Sequence, residues 1–72
     1  MTNNEELRQI RSSYDPPLTI RDIARLTGCP IYGYGSPNVS AWLADKTVMP
    51  DHRLRLLKLE LGLEKPSGLQ DI

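Results

Sequence analysis

The chain has 72 residues, room for one domain, and a domain this short buries only about 60% of the surface its unfolded form exposes. Nine Lys and Arg balance nine Asp and Glu, so no overall field draws it toward polyanions and any electrostatic attraction must come from local placement. A single cysteine, Cys29, excludes an intramolecular disulfide, and one histidine, His52, offers no metal-ligand spacing, so self-association is the expected support for a marginal monomer.

The first helix is expected from about Glu5 to Tyr14, where Leu7, Ile10 and Tyr14 recur at helical spacing. Thr2 or Asn3, each followed three residues later by Glu, opens it with a capping box, and Asp15-Pro16-Pro17 stops it. A second helix opens at Thr19, with Asp22 three places on. It lines up Ile20, Ile23, Ala24 and Thr27 on one face, beside Leu26, and ends at Gly28. Cys29 to Gly35 holds Pro30 and two glycines and reads as a loop.

Ser36 is an N-cap candidate and Pro37 suits the first helical position of a third helix, on which Val39, Trp42 and Leu43 form a narrow apolar stripe. A connection from Lys46 to Pro50 leads to Asp51, expected to cap a fourth helix from His52 to about Leu61. Residues 1–63 thus form one domain, and 64–72, with Pro66 and Gly68, are expected to be a flexible tail. The absence of Phe and of strand-like alternation points to an all-α fold. No apolar run approaches ~18 residues and no basic-then-apolar leader opens the chain, so a cytoplasmic location without membrane spanning is expected.

One spacing carries the functional reading. A helix-turn-helix needs a small residue midway along its first helix, a residue that permits the turn, and two apolar residues that lock the second helix at a steep angle. Ala24, Gly28, Val39 and Trp42 supply these, the last two three apart and so on one face. The stretches Leu7 to Arg11, Leu18 to Gly28 and Ser36 to Leu43, continuing through Pro50, together resemble the lambda-repressor-like Cro/CI family. In that family a fourth helix packs behind the motif, and Arg53 to Leu63 sits where it belongs. The resemblance covers about residues 7 to 63 and implies a compact four-helix domain, or five with one further helix. It also implies a phage or bacterial transcriptional repressor that binds double-stranded DNA. Roughly five extra residues, Pro30 to Tyr34, enlarge the turn; they read either as a surface loop of little thermodynamic cost or as a phosphate-touching element through Tyr32 and Tyr34.

With Val39, Trp42 and Leu43 facing the core, the outward arc of the third helix carries Pro37, Asn38, Ser40, Ala41 and Ala44. Pro37, Asn38, Ser40 and Ala41 are the expected base-reading residues, Asn38 toward adenine and Ala41 toward a thymine methyl; the bland alternative for Asn38 is a polar helix-start residue. Phosphate contacts are expected from Arg21, Arg25, Tyr32, Tyr34, Ser36, Lys46 and Arg53, with helix starts at Thr19, Ser36 and Asp51 adding backbone N–H donors. Arg8 and Arg11 read first as partners of nearby carboxylates such as Glu5, with phosphate contact as the alternative.

On the fourth helix Leu54, Leu57 and Leu61 share one face, while Leu56, Leu59 and Leu63 fall nearly opposite. The first face can complete the core. The second is expected to form a homodimer interface, unless Leu69 and Ile72 of the tail cover it. No nucleophile-base pair, phosphate-cradling glycine loop, metal site or cofactor motif is present, so an enzyme is not expected. Two rivals stay open: an excisionase or MerR-like DNA-bending protein, which requires a β-wing after Pro50, and a protein-interaction module that keeps the fold without binding DNA.

Overall fold

The structure, a computed structural model, describes residues 1–33 and 35–64. Four helices follow in order: α1 (Asn3–Ser12), α2 (Ile20–Thr27), α3 (Pro37–Leu43) and α4 (Asp51–Glu60). Apart from an isolated antiparallel bridge between Tyr32 and Gly35, the described residues form no strand, in line with the all-α expectation. No fifth helix lies among them, and the tail beyond Glu64 falls outside the described residues.

The helix starts follow local hydrogen-bond chemistry. The Thr2 hydroxyl accepts from the Glu5 N–H at 3.1 Å while the Glu5 carboxylate accepts from the Thr2 N–H at 2.9 Å, a reciprocal capping box. Thr19 and Asp22 repeat it for α2, at 3.0 and 3.2 Å. α1 begins and ends two residues earlier than its apolar spacing suggests. The Ser12 hydroxyl bonds back to the Arg8 carbonyl and the Ser13 hydroxyl to the Ile10 carbonyl, closing the helix before Tyr14. α4 also differs: Pro50 stands at its N-cap and Asp51 is its first residue, with the Asp51 carboxylate accepting from the Asn3 side-chain amide rather than capping.

Three helices end on one backbone device. After α2, Gly28 at φ 73° lets the Cys29 N–H reach the Ala24 carbonyl at 2.9 Å, and after α4 the Leu63 N–H reaches the Lys58 carbonyl at 2.8 Å past Gly62. After α3 the left-handed residue is Asp45, φ 58°, with the Lys46 N–H on the Ala41 carbonyl at 2.9 Å. A non-glycine residue there costs about 1–2 kcal/mol. The Asp45 carboxylate offsets this by accepting from the Arg8 guanidinium at 3.0 Å and the Asn4 amide at 3.1 Å.

The core joins Leu7 and Ile10 of α1, Ile23 and Ala24 of α2, Val39 and Trp42 of α3, and Leu54 and Leu57 of α4, with Cys29 and Met49 from the connections. α2 packs against α3 and α4, and α1 against the same two helices. Asn4 is buried beneath the connection that follows α3. Its amide nitrogen donates to the Thr47 carbonyl at 2.9 Å and its oxygen accepts the Met49 N–H at 2.8 Å, which holds Met49 in the core. The same connection therefore fixes both where α3 ends and where α4 begins.

Candidate nucleic-acid interface

α3 has one buried side and one open side because its sequence divides that way. Val39 and Trp42 are buried in the same cluster as Ala24, and α2 packs against α3. Gly28 supplies the left-handed turn at the end of α2, and a β-carbon there would lie 3.2 Å from Nη1 of Arg53.

On the open side Pro37, Asn38, Ser40 and Ala44 are exposed and Ala41 is half-buried. Neither the Asn38 amide nor the Ser40 hydroxyl has a hydrogen-bond partner among the described residues. Ser36 was expected to touch phosphate, and its side chain does not reach solvent: it is 2% exposed, and its hydroxyl has no partner among the described residues. It marks the start of α3 by backbone conformation alone.

The cations divide into free and engaged. Arg21 and Lys46 are exposed with no ion-pair partner among the described residues, and Arg25 keeps most of its surface while lying 3.7 Å from Asp22. Arg53 was expected to reach phosphate, and instead its guanidinium is half-buried and donates to the Thr27 carbonyl at the end of α2. Arg8 does pair with a carboxylate, that of Asp45 rather than Glu5, and Lys58 pairs with Glu6. Of the cations expected to reach phosphate, Arg21, Arg25 and Lys46 are the exposed ones.

Tyr32 pairs with Gly35 in the isolated bridge: its N–H donates to the Gly35 carbonyl at 2.8 Å, the return bond is 3.1 Å, and the residue is 67% exposed. Tyr34 lies outside the described residues. On α4, Leu54 and Leu57 are buried as expected, Leu56 and Leu59 are half-buried without joining the core cluster, and Leu63 is exposed.

Three carboxyls near this framework sit below their ordinary pKa. The Thr19 backbone N–H, then its hydroxyl, hold Asp22 down, and Thr2 does the same to Glu5. For Asp45 the cause is first the Asn4 amide and then Arg8. Sequence reasoning missed Asn4 and Asp45. The available signals were a polar residue of poor helix propensity inside a first turn, and an Asp where a helix end calls for a left-handed residue.

Among the described residues no group of His, Cys, Asp and Glu can hold a metal ion, and no helix is long and apolar enough to cross a membrane. No family model, curated protein or solved structure matches the chain.

Proposed function

We propose that the chain binds double-stranded DNA sequence-specifically as a phage or bacterial transcription regulator, a Cro/CI-like repressor in a bacterial cytoplasm. In this reading α2 and α3 form a helix-turn-helix with an enlarged turn and α3 enters the major groove. The observation that carries it is the two-sidedness of α3. Val39 and Trp42 are buried in the core with Ala24, while Pro37, Asn38 and Ser40 face solvent, the Asn38 amide and Ser40 hydroxyl unengaged among the described residues. Arg21, Arg25 and Lys46 supply phosphate contacts beside the groove, and the exposed Tyr32 hydroxyl is a further donor. A second copy joins through Leu56, Leu59 and Leu63, placing two α3 helices about 34 Å apart on one face of the duplex.

The helix that follows Pro50 stands where a DNA-bending rival requires a β-wing, which weighs toward the repressor reading. One observation favours the interaction-module reading: Arg8, Arg53 and Lys58 are engaged by Asp45, the Thr27 carbonyl and Glu6. Fluorescence anisotropy on a random-sequence duplex at several salt concentrations separates the two. Three phosphate-binding cations per protomer give a slope of log K against log salt of about −3 for one protomer and about −5 for a dimer. Absence of binding at low salt would transfer the weight to the interaction module.

A further inference from the structure

We infer that the half-site read by α3 is an A·T step, recognised through the Asn38 amide and alanine methyls rather than through guanine. This rests on the DNA-binding reading above and goes beyond it by naming the bases.

The commonest specific contact in the major groove is an Arg or Lys forked onto the O6 and N7 acceptors of guanine. α3, seven residues from Pro37 to Leu43, carries no charged side chain. The first ones beyond it are Asp45 and Lys46. The Asp45 carboxylate is turned back onto Arg8 and Asn4, so it is not offered to a cytosine amine. Lys46 lies past the left-handed turn that ends the helix, exposed and off the open arc of α3.

What α3 does offer is apolar along its centre and polar at its edge. At 100° per residue Pro37, Ala41 and Ala44 fall on one line opposite Val39 and Trp42, with Asn38 on one flank and Ser40 on the other. Residues 37 to 44 span about 10 Å of helix, close to three base steps at 3.4 Å each. Small apolar groups along that line meet the thymine C5-methyl, the only apolar group a base pair shows in this groove. The Asn38 amide presents one donor and one acceptor side by side, the complement of the adenine N7 acceptor and N6 donor. Being free of partners among the described residues, it breaks no hydrogen bond within the described fold on binding.

The test uses the full chain and duplexes selected from a random pool. Replacing thymine by deoxyuracil removes only the methyl group, and replacing adenine by 7-deazaadenine removes only the N7 acceptor. Each productive methyl loss is expected to weaken binding about four-fold. Loss of N7 is expected to weaken it about five-fold or more, an effect that disappears in Asn38→Ala. A guanine-centred consensus overturns the inference. So does an A·T-rich consensus insensitive to both base analogues, which means that groove shape is read instead, or retention of DNA without any consensus. In all three results DNA binding itself survives, whereas retention of no duplex at low salt overturns the DNA-binding reading and this inference together.

Discussion

The Arg53 guanidinium donates to the Thr27 carbonyl and lies against Gly28, tying the last turn of α2 to the first turn of α4. Because α2 is the platform on which Val39 and Trp42 seat α3, this tie bears on the pose of the exposed arc. Gly28→Ala is expected to lose about 1–2 kcal/mol from the left-handed backbone alone, with more if Arg53 is pushed away. Arg53→Met keeps the apolar stem and is expected to lose about 1 kcal/mol through the uncapped carbonyl. The double variant should lose less than the sum, since both changes act on one contact. Urea denaturation followed by circular dichroism measures all three; full additivity would show that the contact is not formed in solution.

Asn4→Ala leaves the buried Met49 N–H without its acceptor and removes the donor to Thr47. The expected cost is about 1–3 kcal/mol, or a fall in melting temperature of roughly 5–20 °C for a domain of this size. A melting temperature within a degree or two of the parent would contradict the hub role assigned to Asn4.

Acid sensitivity follows from Asp45, Asp22 and Glu5, whose folded-state pKa values lie below their ordinary ones. A depressed carboxyl contributes stability that is present above its unfolded pKa and is lost as pH falls through the folded one. The melting temperature should therefore hold level from neutral pH to about pH 5 and decline below about pH 4. Asp45→Asn, which tolerates the left-handed backbone but cannot ionise, is expected to melt lower at neutral pH and to decline less in acid. A parallel acid decline in parent and variant would remove Asp45 from the account.

The sequence and the structure agree where one interaction settles the outcome. Thr2 with Glu5, Thr19 with Asp22, and Gly28 each bring their hydrogen-bond geometry with them, so those helix boundaries could be read within a residue or two. The stripe of Val39 and Trp42 was legible because apolar burial follows helical periodicity. Legibility ended where a side chain's partner lies far along the chain. Arg53 has the same local sequence whether it meets phosphate or Thr27, and only packing brings it onto an acceptor 26 positions earlier in the chain. Ser36 likewise looks like an exposed cap until the fold covers it. Pro50 took the cap expected of Asp51 because Asn3, from the other end of the chain, draws the Asp51 carboxylate away.

Leu56, Leu59 and Leu63 give the proposed dimer its test. All three lie outside the core cluster, so Lys at the half-buried Leu56 and Leu59 is expected to leave the helical circular dichroism signal intact while opposing association. Sedimentation should give a dimer mass for the parent and a monomer mass for the double variant. An unchanged mass would discard this face as the interface.

Amide NMR titration of the chain with a duplex at low salt tests the central claim most directly. Shift perturbations are expected at residues 37–46 and around Arg21 and Arg25, reduced by Arg21→Ala on every duplex alike. Perturbations confined to α4, or none at all, would contradict it.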